Sequence, residues 1–371
     1  MEIPLARPDI GPAEIEAVLA VLKTPHLSLG PKVGEFEDAF AAYCGTRYAA
    51  AINSGTAGLH LCLAAIGVGP GDEVITTPFS FVASSNCILF QGAKPVLADI
   101  DPETWNIDPA RVAAAVTART KAVIPVDVFG QPADMDPIRA IARKAGLRIV
   151  EDSCEALGAR YHGRFAGSLG DAGVFGFYPN KQITTGEGGM IVTDDEAIVR
   201  IVRSMRNQGR AAGATWLSHE RLGYNYRLSD INCAIGLAQL GRVDEFIARR
   251  AAVAGMYLER LADDERLSTQ RIIDGVDMSW FVFVVRLADS YSQDDRDRIL
   301  NQLRERGIGC SNYFTPIHLQ PFMVEQFGYG PGDFPVCEAV AARTIALPFH
   351  PQLTEREVET VCRELKAILD K

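Results

Sequence analysis

The sequence predicts an α/β protein, with a large domain built on a mainly parallel sheet covered by helices and a smaller C-terminal α/β domain behind it. Three observations carry this. From Gly71 onward, short apolar runs of strand length alternate with longer segments of helical periodicity, the pattern of parallel strands joined by crossover helices. The 371 residues suffice for one large domain and one smaller one. The run Ser229 to Leu261 reads as one or two long helices with an apolar face of Ile231, Ala234, Ile235, Leu237 and Leu240. The expected division falls inside that run, giving a large domain over 1–245 and a small one over 246–371.

Taken in order, Glu14 to Leu22 and Val33 to Tyr43 have apolar residues at helical spacing. Asn53-Ser54-Gly55-Thr56-Ala57 then opens a strongly helical segment, LHLCLAAIG, closed by Gly67. Strands are expected over Glu73 to Thr76, Pro95 to Ala98, Ala122 to Val126 and Leu147 to Val150. The helices between them are Phe79 to Gln91, Pro109 to Val116 and Met135 to Ala145. A strand over Val174 to Phe177, a short strand beyond Met190 and a helix over Asp195 to Arg206 follow. In the last third, Trp280 to Val285 is strand-like, and helices are expected near Asp295 to Arg306 and Glu355 to Leu369.

Composition narrows the function. A net charge of −10 and the lack of any Lys/Arg-rich run argue against a nucleic-acid partner. Eight cysteines without a C-x-x-C pair read as reduced, buried thiols that hold no metal. The N-terminal MEIPLARPDIG has no signal-peptide pattern, and the apolar runs stop well short of the ~20 residues that span a bilayer, so a cytoplasmic protein off the membrane is expected. No G-x-G-x-x-G follows a predicted strand, which argues against a dinucleotide site.

The stretch VFGFYPNKQITTGEGGM, Val174 to Met190, holds the strongest chemical signal. Lys181 lies between a buried strand and a glycine-rich turn, and a partly desolvated lysine is a nucleophile towards aldehydes. An ordinary strand-turn lysine is the alternative. Small and hydroxylated residues at Gly55-Thr56-Ala57 leave helix N–H groups free for an anion, the alternative being a plain N-cap. Asp152 would emerge at the carboxyl edge of the sheet, where open α/β folds bind ligands. An anion site, an acidic residue and a nucleophilic lysine together suit pyridoxal 5'-phosphate: its phosphate needs donors, its ring nitrogen a carboxylate and its aldehyde an amine.

Ordered motifs run through nearly the whole chain: NSGTAGLHLCLAAIGVGPGDEVITTPFSFVAS, AKPVLADIDPETWNID, PVDVFGQPADMD, EDSCEALGA, FYPNKQITTGEGGM, GYNYRLSDINCAIGLAQL and YFTPIHLQP. In these the chain resembles the DegT/DnrJ/EryC1/StrS sugar aminotransferases, pyridoxal-phosphate enzymes of the type I transferase fold with a seven-stranded sheet. The resemblance implies that Lys181 is the Schiff-base lysine and Asp152 the partner of the ring nitrogen. It implies that Phe81 stacks on the ring, that Gly55, Thr56 and Ala57 grip the phosphate, and that Glu155 lies near the phenolic oxygen. Asn225 matches a residue reaching the phosphate of a neighbouring subunit, which implies a homodimer with shared sites. Tyr178, Arg227, Tyr313 and His318 fall where the family lines its sugar-nucleotide pocket.

The implied activity is amination of a nucleotide-linked keto-hexose, with L-glutamate as donor. Two alternatives within reach of the same resemblance are another ketone, such as a ketocyclitol, and a non-catalytic cofactor-binding regulator. Three departures stand out. Gly176 replaces a phosphate-binding Ser, Glu155 stands where Gln or His is common, and PVDVFGQ places Asp127 for His and Phe129 for Tyr.

Overall fold

A central sheet, six of whose seven strands lie near the expected places, forms in the computed structural model, which describes residues 2–370 apart from 212 and 214–217. Its strands are β1 (Tyr48–Ile52), β2 (Glu73–Thr76), β3 (Lys94–Leu97), β4 (Thr120–Val123), β5 (Arg148–Asp152), β6 (Ala172–Gly176) and β7 (Gly189–Thr193). Their spatial order is β1-β7-β6-β5-β4-β2-β3. β2 to β6 run parallel, whereas β7 is antiparallel to both β6 and β1. β1 therefore points the same way as the parallel set, and the carboxyl ends of six strands open at one edge.

The sheet is buried on both faces. On one side the helix Gly55–Ala65 packs with Glu196–Met205 over Ile52, Val74, Val150, Val174 and Ile191. That helix is apolar nearly all round because the sheet lies under it and other helices flank it. On the other side Phe36 and Phe40 of the helix Pro31–Cys44 meet Phe175 and Phe177 at ring distances of 5.2–5.7 Å.

The helical run after Ser229 divides into Asp230–Leu240 and Val243–Leu261. The second of these faces two cores. Val243 and Phe246 join the cluster of Phe36 and Phe40, while Val253, Ala254, Tyr257 and Leu261 pack with Phe283, Ile299, Leu347 and Leu365. The C-terminal part is a three-stranded antiparallel sheet, Leu267–Ser268, Phe283–Leu287 and Thr344–Leu347, backed by the helices Gln293–Glu305 and Glu355–Leu369. Ile3 also enters this cluster, through a bridge to Ile308.

Some boundaries differ from the sequence reading, for local reasons. The helix expected from Phe79 begins at Ala83, so Phe81 lies in the turn before it with 62% of its surface exposed. The strand expected from Trp280 begins at Phe283, because Trp280 adopts φ +52° and breaks the extended run. β4 ends at Val123, and Val126 forms only a single bridge to Asp152.

Candidate active site

Four strand ends converge at the open edge of the sheet. β1 leads into the helix Gly55–Ala65, β2 into the turn of Phe81, β5 ends on Asp152, and β6 leads through Phe177 to Lys181. Chain geometry thus gathers the expected residues, since parallel strands present their carboxyl ends together.

The helix start is built to receive an anion. Ser54 is the N-cap and its Oγ accepts the Ala57 N–H at 3.1 Å. The N–H groups of Gly55 and Thr56 open the helix and have no carbonyl one turn earlier within it. Neighbouring backbone comes very close here. A Cβ on Gly189 would lie 2.9 Å from the Gly55 nitrogen, and one on Gly55 would lie 2.6 Å from Cys154 Sγ. Only glycines permit this approach.

Asp152 is held from two sides. Ser84 Oγ donates to Oδ2 at 2.7 Å, and the Cys154 N–H donates to Oδ1 at 3.3 Å. Ser84 also bonds the Phe81 carbonyl at 3.3 Å, which couples the aromatic turn to the carboxylate.

Lys181 extends into the site between two groups. Its Nζ lies 3.4 Å from Glu155 Oε1 and 3.9 Å from the centre of the Phe281 ring. Glu155 Oε2 accepts the Phe129 N–H at 3.0 Å. Burial pushes the Glu155 carboxyl up, while the Lys181 ammonium and the Phe129 N–H partly offset that. Tyr313 joins this group: burial and the Glu155 carboxylate beside it, partly offset by a hydrogen bond with Asn180, raise its hydroxyl to about 12.

The other expected residues are placed less uniformly. Tyr178 is exposed, two residues after β6. Arg227 donates from Nη1 to Asn207 Oδ1 at 3.0 Å. Asn225 is exposed, and its main-chain carbonyl accepts from Asn53 Nδ2 of the same chain at 3.4 Å. His318 is fully buried, with Nε2 on Glu338 at 3.0 Å and its ring against Phe334. Ser84, Phe281, Gln182 and Asn180 entered the site without a signal in the sequence, since each acts through a contact between distant segments.

The departures at Asp127 and Phe129 now have a physical setting. Asp127 is fully buried, with Oδ2 accepting from Ser153 Oγ at 2.6 Å and Oδ1 from the Ala133 N–H at 3.0 Å. Phe129 stacks on Phe314 at 5.5 Å and meets Phe79 and Trp105 edge-on.

The donor set fits pyridoxal phosphate: an open helix N-terminus, a fixed carboxylate, an exposed aromatic ring and an amine. The comparisons agree. The model of the DegT/DnrJ/EryC1/StrS aminotransferase family matches residues 8–366. GDP-perosamine synthase of Caulobacter vibrioides is 41% identical over 370 residues, covering 99% of this chain and 98% of that one. The structure of S. venezuelae DesV with a ketimine intermediate superposes with a TM-score of 0.91 at 35% identity, covering 96% of this chain and 94% of that chain. The PLP form of a Streptococcus pneumoniae protein assigned as a sugar aminotransferase gives a TM-score of 0.95 at 28% identity, over 100% and 99% of the two chains. The chain belongs to the DegT/DnrJ/EryC1/StrS aminotransferase family and is a pyridoxal-phosphate-dependent transaminase.

The buried acids beneath the site generate a stability prediction. Burial, and Glu151 nearby, hold Asp127 well above its ordinary value of 3.8. A carboxyl raised in the folded state stabilises the fold at low pH and loses that contribution as pH climbs through the raised value. Asp127→Asn can accept the Ala133 N–H through its amide oxygen and donate its amide N–H to Ser153 Oγ, reversing that bond, and it cannot ionise. Its stability relative to the parent should therefore grow from about pH 4 upward, by about 1.4 kcal/mol per pH unit until the raised value is passed. Urea denaturation at pH 5 and pH 8 measures this. A difference that does not change with pH would contradict the buried-acid account.

Proposed function

We propose that the protein aminates the ketone of a nucleotide-linked hexose, with L-glutamate as donor, in cytoplasmic homodimers whose sites are shared. The observation that carries this reading is the meeting of Lys181, Asp152 and the Gly55–Ala57 helix start at one sheet edge. The names of the relatives, GDP-perosamine synthase among them, support a sugar as the ketone.

In this reading Gly55, Thr56 and Ala57 hold the cofactor phosphate, Phe81 covers one face of the ring, and Asp152 keeps a proton on the ring nitrogen. When bound, pyridoxal phosphate supplies an electron sink for the pair left when a Cα proton departs. Lys181 would hold the group by its aldehyde, and the same amine is placed to serve as the base that takes a Cα proton and the acid that delivers it. Ser84 and the Cys154 N–H keep Asp152 from rotating away during both halves.

Glu155 fits the phenolic side through a shared proton. Burial favours the protonated form of Glu155. A protonated carboxyl can donate to the oxygen that a carboxylate would repel. Tyr178, Arg227 and Tyr313 are proposed to contact the sugar nucleotide. His318, paired with Glu338 and buried, would support that wall from behind.

Ile15, Leu19 and Leu22 support the homodimer. They recur at i, i+4 and i+7 on the helix Pro12–Leu22 and are each about half exposed, an apolar stripe that needs cover.

Incubation with pyridoxal phosphate, L-glutamate and a panel of keto-sugar nucleotides should yield an amino sugar and 2-oxoglutarate in equal amounts, read by mass spectrometry. Turnover of free ketones, with none of any nucleotide-linked sugar, would reject the substrate class. Sharing of sites predicts that Asn225→Ala weakens cofactor retention about ten- to hundredfold, the loss of one hydrogen bond to a charged group. Mixed with inactive Lys181→Ala chains, it should recover activity as heterodimers form. Confirmed heterodimers without recovery would mean that Asn225 serves its own chain.

A further inference from the structure

Arg250 lies on the helix Val243–Leu261 with only 3% of its surface exposed. Its guanidinium makes three hydrogen bonds, all to main-chain carbonyls. Nη2 donates to Lys181 O at 3.0 Å, and Nη1 to Phe281 O at 3.1 Å and Trp280 O at 3.4 Å. Burial lowers the group to about 10, which leaves it charged at neutral pH. A buried cation without a carboxylate partner is costly, so helix packing alone would favour an apolar residue here.

What the arginine joins explains its presence. One acceptor is the main chain of Lys181. Another belongs to Phe281, whose ring lies 3.9 Å from the Lys181 amine. From there the network closes on itself. The Phe281 N–H donates to Phe129 O at 3.0 Å, and the Phe129 N–H donates to Glu155, the other neighbour of that amine. Gln182 adds a second tie, donating from Nε2 to Ser279 Oγ at 2.9 Å and to the Glu155 carbonyl. Both groups that flank the amine are thus fastened to the same guanidinium that holds the lysine backbone.

We propose that Arg250 is a positioning residue for Lys181: by bonding the carbonyls of Lys181 and Phe281 together, it sets where the lysine amine stands between Glu155 and the Phe281 ring. Arg250 reaches carbonyls on separate segments from different nitrogens of one planar fork, which lysine lacks. This rests on the reading of Lys181 as the residue that captures the cofactor aldehyde.

The test compares two cofactor forms on the full-length apo-protein. Pyridoxamine phosphate has the ring and phosphate but no aldehyde, so its affinity does not report on Lys181. Pyridoxal phosphate reports on capture through its absorbance change. Arg250→Gln should bind pyridoxamine phosphate within about twofold of the parent while covalent capture of pyridoxal phosphate weakens about ten- to hundredfold. Arg250→Lys keeps the charge without the fork and should remain impaired in capture. If Arg250→Gln does not fold, Arg250→Lys carries the same comparison. Equal losses for both ligands would mean a purely structural arginine, and so overturn the proposal. No loss of capture, or full recovery in Arg250→Lys, would overturn it too. A parent protein that binds neither ligand would instead remove the cofactor reading beneath it.

Discussion

An ammonium and a carboxylate facing each other at 3.4 Å, with little water around either, are the constraint on which this site depends. The Lys181 ammonium holds the Glu155 carboxyl in its charged form against burial, which favours the neutral one. Both partners are therefore held by main chain. The Phe129 N–H fixes the carboxylate, and Arg250 fixes the Lys181 carbonyl. Removing one member of such a pair strands the other, which is why the surrounding network is bonded so completely.

The carboxyl edge of the sheet concentrates acid, and each acid is accommodated differently. Glu151 is fully buried, accepts N–H groups from Gly167, Leu169 and Gly170 at 2.6–2.9 Å, and is still raised to about 7. Asp127 accepts from Ser153 and one N–H, and burial with Glu151 nearby holds it well above its ordinary value. Asp152 receives Ser84 and the Cys154 N–H, and ends β5 at the carboxyl edge. A cofactor ring nitrogen placed there would meet a carboxylate already fixed in orientation, so little reorganisation is needed when charge develops. Parallel strands supply this arrangement at no extra cost, because their carboxyl ends lie side by side.

Much of this was legible in the sequence where the pattern is local. The β/α alternation, the N-cap at Ser54, the strand leading to Asp152 and the strand–lysine–glycine stretch all fold as their residues suggest. β1 was not legible, since its Ala49-Ala50-Ala51 core favours helix and only pairing with β7 makes it a strand. Phe281, Ser84 and Arg250 were also hidden. Each is an ordinary residue in its own segment and gains its role through a contact with a distant one. The family resemblance supplied the expected roles but not these supports. The missing hydroxyl at Gly176 is not a matter of room, as a Cβ there would lie 3.5 Å from Cys154 Sγ, an ordinary contact. Burial keeps that thiol protonated.

The central claim is that Lys181 is the residue to which the cofactor's aldehyde is bound. Purified protein loaded with pyridoxal phosphate, reduced with borohydride, digested and mapped by mass spectrometry tests it directly. The account predicts one reduced adduct per chain, on Lys181, with the peptide containing Gln182 and Gly186 carrying the added mass. An adduct on any other lysine, or none in protein that retains the cofactor, would contradict it.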